Sequence, residues 1–257
     1  MKKLFIKMFL FTALVPNAQG IMVVNEIDTA SPENFSTMVN HWMTAVKTGM
    51  EIDNMQSYVF AEQGSKKMQF LQWFDSKQAM VEQMDQQEAS QEKIWAAFQE
   101  MDPLPEGAFE AFNEVTDFRE SSVWEYMPEL SSIAETWEPL SQEEKDANTY
   151  RRIQYISVSM NSDQDFEQWN KDINALDKKL GVSNHYAVFK SVFGAKDADY
   201  MIVCVDKSRF DYHKNWAERM NVRTQSEAFK TLVSENNLEK WSVVGEAHWD
   251  RVVELTF

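Results

Sequence analysis

The sequence is short of the residues from which most recognisable sites are built. One cysteine, Cys204, stands among 257 residues, so the chain can form no internal disulfide and no cysteine pair for a metal. The four histidines, His41, His185, His213 and His248, are scattered. None falls in the His-Glu-x-x-His spacing that sets two imidazoles on one helical face, so no metal site is expected. Seven glycines and six prolines exclude collagen-like and low-complexity chains. Neither a glycine-rich phosphate loop nor a Gly-x-Ser-x-Gly elbow occurs. Basic residues number 25 against 41 acidic ones, a net charge of −16. Such a surface repels phosphate backbones and anionic lipids, which argues against a nucleic-acid or membrane-surface partner.

What the chain has is apolar bulk. Hydrophobic residues make up 44%, with 17 Phe and nine Trp, enough for a packed core without metals or cross-links. Residues 1–20, MKKLFIKMFLFTALVPNAQG, read as a secretory signal peptide: a lysine start, an apolar stretch from Leu4 to Val15, and Ala18-x-Gly20 for cleavage. Its removal takes Lys2, Lys3 and Lys7, leaving 22 basic against 41 acidic residues, a net of −19. The expected location is the periplasm or the medium, without stable membrane association after cleavage. Cys204 lies in the apolar run Tyr-Met-Ile-Val-Cys-Val (200–205) and reads as a buried structural thiol.

The chain also repeats itself. Lys93-x-Trp95-Ala96 recurs as Lys214-x-Trp216-Ala217, and Ala108-Phe109 recurs as Ala228-Phe229. Val59-Phe60 matches Val188-Phe189, and Trp124-Glu125 matches Trp249-Asp250. Period-two and helical patterns give each half the same order. The first half runs strand (21–27), helix from Ser31-Pro32, strands 55–62 and 67–75, a long helical region from Ser76 broken at MDPLPEG (101–107), and strand 121–130. The second runs strand 152–160, helix from Asn161-Ser162, strands 185–192 and 199–206, helix 209–238, and strand 241–255. The matched Trp95 and Trp216 read as core residues.

The expected class is therefore α+β: two ferredoxin-like βαββαβ units packed sheet to sheet as an intramolecular α+β barrel. The first unit spans 21–130, a polar linker 131–149, and the second unit 150–257. Apolar residues on both parities of one strand (Met68, Phe70 and Phe74 against Leu71 and Trp73) supply the reason, because the second sheet face needs cover.

Trp73-Phe74-Asp75-Ser76-Lys77-Gln78-Ala79-Met80 resembles the strand-to-helix junction of antibiotic biosynthesis monooxygenase-like proteins. Ser226-Glu227-Ala228-Phe229-Lys230 is similar to a later helical segment of that family, with Glu106-Gly107-Ala108-Phe109 in its place in the first half. The resemblance implies the dimeric α+β barrel superfamily, whose members include cofactor-independent monooxygenases, haem-degrading enzymes and chlorite-dismutase-like haem proteins. The haem-degrading branch combines an Asn, a Trp and a helix His. Trp73 matches the Trp, but Asn113 and Val233 stand where the His is expected.

Three function classes follow. In the first, an exported protein binds a small apolar or aromatic ligand, with Tyr58, Phe60, Phe70 and Trp73 lining a barrel pocket; plain core packing is the alternative for those four. In the second, a cofactor-independent monooxygenase-like enzyme uses Trp73 with His248 and Asp250, which share a strand face at a spacing of two and pair an imidazole with a carboxylate. The third binds haem through His213 or His248. The first two classes require no cofactor.

Overall fold

Ile21–Thr29 (β1) is a strand buried at every residue but Glu26 and Asp28, so its first half is covered on both faces and only its second half shows the period of two. The computed structural model describes residues 20–257 except 54, 102–106, 138 and 196. The proposed signal peptide and the Pro103–Pro105 break thus fall outside the described residues, apart from Gly20. The described chain divides into two compact units, residues 20–123 with 252–257, and 124–251.

In the first unit, Pro32–Met50 (α1) starts as the sequence predicts: the Ser31 hydroxyl accepts from the Asn34 N–H and Pro32 opens the helix. Ser57–Glu62 (β2) and Lys67–Phe74 (β3) pair antiparallel, and β3 also pairs with β1. Lys77–Ala89 (α2), capped by Ser76, leads through Gln91–Glu100 (α3) and Ala108–Val115 (α4) into Thr116–Tyr126 (β4), which begins five residues earlier than predicted. The helices α1 and α3 touch so closely at Gly49 that an added Cβ would meet the Ile94 backbone at 2.5 Å. Beneath α1, α3 and α4 lies an apolar core of Phe35, Met38, Met43, Met55, Phe70 and Phe112.

In the second unit, Ile133–Thr136 (α5) and Gln142–Ala147 (α6) occupy most of the predicted linker. Tyr150–Val158 (β5) pairs with Tyr200–Asp206 (β7) and with Trp241–Thr256 (β8), and β7 pairs with Tyr186–Phe193 (β6). Asp163–Leu180 (α7), Arg209–Gln225 (α8) and Glu227–Glu235 (α9) complete the unit; the predicted helix 209–238 breaks at Ser226. Tyr150, Phe166, Tyr186, Tyr200, Cys204 and Tyr212 form the core here.

The α+β class holds, but two ferredoxin-like units packed sheet to sheet do not. All eight strands hydrogen-bond in the order β1-β3-β2-β8-β5-β7-β6-β4, a closed barrel. Closure gives every strand edge a backbone partner, which face-to-face packing of two separate sheets leaves undone. A second correction concerns Trp216. It is 47% exposed on α8, whereas Trp95 is half-buried and stacks on Phe98 with ring centroids 5.4 Å apart. Cys204 is buried, as expected, and burial pushes its thiol pKa up. No described helix is long and apolar enough to cross a membrane.

Candidate functional site

The structure wires His248 into a network within the second unit. On β5 and β8, Arg152 lies opposite His248, Gln154 opposite Glu246 and Tyr150 opposite Asp250, so these side chains share one sheet face. The Tyr150 hydroxyl is 2.6 Å from His248 Nδ1, and His248 Nε2 is 3.1 Å from Glu246 Oε1. Arg152 donates to Glu246 Oε2 at 2.5 Å and to the Tyr212 hydroxyl of α8 at 2.9 Å. An ionised carboxylate can only accept, so Nε2 carries the imidazole proton and Nδ1 accepts from Tyr150.

The electrostatics agree with that assignment. Burial, and then the nearby Arg209 charge, hold the His248 pKa below its ordinary 6.5, although Glu246 pulls the other way. Burial pushes the Tyr150 phenol up to about 12, so its proton stays in place at neutral pH. Burial pushes Glu246 up, but its bond to Arg152 together with the charges of Arg152, His248 and Arg209 outweighs this and leaves its pKa below the usual carboxylate value. Both ring nitrogens are therefore engaged. For His248 to take a proton from a substrate, Tyr150, which is fully buried, must first release Nδ1.

The other predicted residues are dispersed. Asp250 shares the face of His248, but the carboxylate that meets the imidazole is Glu246, two residues to the other side. His213 is exposed on α8, edge-on to Tyr212 at 5.4 Å. In the first unit, Tyr58 lies opposite Leu71 and Phe60 opposite Gln69, which puts both on the face shared with Trp73. Phe70 lies opposite Val59 on the reverse face, in a 20 Å³ apolar slot with Phe35, Met38 and Phe112. The four aromatics do not line one pocket. Gly20 lies against the Trp73 indole so closely that a Cβ there would meet the ring at 2.2 Å.

A larger space opens elsewhere in the first unit. A cleft of about 1120 Å³ lies between the end of β1, the end of α4 and the start of β4. Cross-strand pairs build its wall: Thr29 and Thr116 hydroxyls at 3.1 Å, Arg119 to Asp28 at 2.9 Å, and Ser121 donating to Asn25 Oδ1 at 2.6 Å. Two lining amides are incompletely bonded: Asn25 Nδ2 and Asn113 Oδ1 are buried with no hydrogen-bond partner. Asn25 is only 3% exposed, so the unmet donor is set into the wall. None of the predicted site residues lines this cleft. Its one visible mark in the sequence is Asn25 itself, a polar residue on the buried parity of the apolar strand IMVVNEI.

No protein-family profile matches the chain, and no curated protein matches it significantly in sequence. Solved structures do share its fold. A putative chlorite dismutase superposes with a TM-score of 0.50 at 10% identity, covering 92% of this chain and 96% of its own. An anthrone oxidase-like protein gives 0.50 at 15% identity, covering 92% of each chain. A putative monooxygenase from Fusobacterium nucleatum reaches 0.47 at 11% identity, covering 92% and 93%. These neighbours are of the dimeric α+β barrel kind, and at such identities the likeness is one of fold alone.

Proposed function

We propose that this protein is exported and binds a small molecule, with the first-unit cleft as its binding site. One observation carries the reading: a cleft of about 1120 Å³ whose wall contains a buried asparagine amide with an unmet hydrogen bond. Ligand sites are typically concave spaces of about 300–1,000 Å³; this cleft is of that order, with a mostly polar and charged lining in which Ala30, Val115 and Phe118 are the apolar residues. A buried donor without a partner costs about 1–3 kcal/mol, and Asn25 Nδ2 sits behind the cleft surface, closed to solvent. Export to the periplasm or medium rests on the leader features of residues 1–20, and the recurring Lys-x-Trp-Ala and Ala-Phe pairs support a tandem origin. Native mass spectrometry of the exported protein tests the reading. A mass reduced by the leader is expected, together with a small-molecule adduct that disappears in Asn25→Leu. An adduct that survives Asn25→Leu puts the ligand elsewhere, and an intact N-terminal segment overturns export.

A second reading, a cofactor-independent monooxygenase-like enzyme, is favoured by the Tyr150–His248–Glu246 chain, which sets an imidazole between a phenol and a carboxylate. Oxygen uptake with a phenolic substrate, abolished in His248→Ala, checks it. Haem ligation is assigned to the exposed His213, because neither nitrogen of His248 is open. A Soret band on haemin addition, lost in His213→Ala, checks that.

A further inference from the structure

The apolar slot of the first unit differs from the cleft in kind. Its 20 Å³ are enclosed by nine side chains, five aromatic, two branched aliphatic and two methionine, Met38 and Met43. Apart from the two sulfurs, the indole N–H of Trp42 is the one polar group these side chains carry. Three phenyl rings run in a row: Phe35 stacks on Phe112 at 6.4 Å, and Phe112 meets Phe118 at 6.5 Å. Phe118 also lines the cleft, so the two spaces adjoin at its ring. Val39, Trp42 and Phe118 are half-buried and form the outer side of the slot, whereas Phe35, Phe70 and both methionines are buried.

Size and chemistry restrict the occupant. A water-sized molecule needs roughly 10–15 Å³ of such space, so the slot takes one small molecule and no more. Water is poorly served there: it needs about two to four polar partners, and one N–H and two weakly accepting thioethers do not supply them. A charged or strongly hydrogen-bonding molecule loses its hydration without replacement. A nonpolar one loses little, gains dispersion contacts with the rings, and meets two methionines that adjust to its shape.

We propose that the slot is a binding site for a single nonpolar molecule of the size of dioxygen, entered from the side of Val39, Trp42 and Phe118. The site does not depend on what the cleft binds. It places a dissolved gas in the first unit, behind a ring that the cleft shares.

Dioxygen is paramagnetic and serves as its own probe. In the full mature chain with labelled methionine methyl groups, NMR relaxation is measured under nitrogen and under raised oxygen pressure. Met80 and Met201 are as deeply buried as Met38 and Met43 but do not line the slot, so they report oxygen dissolved in the interior at large. The expected result is a relaxation enhancement several-fold greater at Met38 and Met43 than at Met80 and Met201. Val39→Leu adds a methylene to the lining and is expected to bring all four to one level. Phe112→Leu removes part of a lining ring and is expected to raise the enhancement at Met38 and Met43 further, which keeps the test open should the filled variant fail to fold. Equal enhancement at the four methyl groups in the unaltered chain overturns the site. A selective enhancement that neither variant changes puts the gas elsewhere and overturns the assigned slot.

Discussion

The two units fill the space beneath their helices in opposite ways. The first is filled with Phe35, Met38, Met43, Met50, Met55, Phe70 and Phe112, side chains with no hydrogen bond to satisfy. The second is filled with tyrosines, each hydroxyl held by a named partner. Tyr150 meets His248, Tyr186 donates to Asn174, Tyr200 shares its one proton between Asp163 and Glu167, and Tyr212 accepts from Arg152. Beside them Arg223 forms a two-pronged pair with Asp177, the carboxylate side chain 6% exposed and the guanidinium 12%. Methionine and phenylalanine pack adaptably and tolerate change, whereas a buried polar network is stable only when every member is satisfied. The difference teaches where each unit is brittle. The second unit ties its buried tyrosines to named partners, with Arg152 Nε, His185 Nδ1 and Arg251 Nε left without a hydrogen bond; the first has an apolar core and leaves two amide atoms unmet beside a cleft.

The sharpest way to break the comparison is Asp177→Ala. It strands the Arg223 guanidinium in the interior and is expected to cost about 3–5 kcal/mol of stability, read in urea unfolding. A loss below about 1 kcal/mol means that the pair is effectively solvated and that the second unit is not held by its polar ties. Smaller changes sharpen the contrast. Tyr150→Phe removes the donor to His248 Nδ1 and is expected to cost about 1–3 kcal/mol. Met43→Leu, equally buried in the first unit, is expected to stay below about 1.5 kcal/mol. Equal losses from the two changes erase the distinction.

The smallest expected effect is one of pH. The pKa values of His248 and His185 lie below the ordinary 6.5, burial being the main cause for each. An unfolded chain therefore binds these protons before the folded one does. Stability is fully present above about pH 6.5 and is lost as pH falls through the lower folded values. Melting temperature measured from pH 8 to pH 5 should fall on the acid side, and His248→Gln should flatten part of that slope. A slope unaltered in the variant shows that His248 takes up no extra proton on unfolding.

Much of this was legible because it is local. Ser31-Pro32, Ser76 and Ser208 begin helices where a hydroxyl can reach a free N–H, and alternation at period two marks the strands. The same period left the carboxylate partner of His248 ambiguous, since Glu246 and Asp250 stand equally spaced from it. Only the position of Arg152 on the neighbouring strand selects Glu246. Matched Lys-x-Trp-Ala motifs suggested one fate for Trp95 and Trp216, but a helix sequence does not say which neighbour covers which side, and Trp216 lies at the surface.

Composition and spacing by themselves determined the α+β class, the eight strands, the buried thiol, and the impossibility of an internal disulfide. Those properties depend on side-chain type and on contacts a few residues apart. The closure of the barrel, the His248 network and the cleft were decided by tertiary structure. Asn25 and Ser121 are 96 residues apart, and Tyr150 and His248 are 98 apart. Strand register brings such partners together through backbone pairing, and an unmet hydrogen bond becomes visible only once every other neighbour has taken its place.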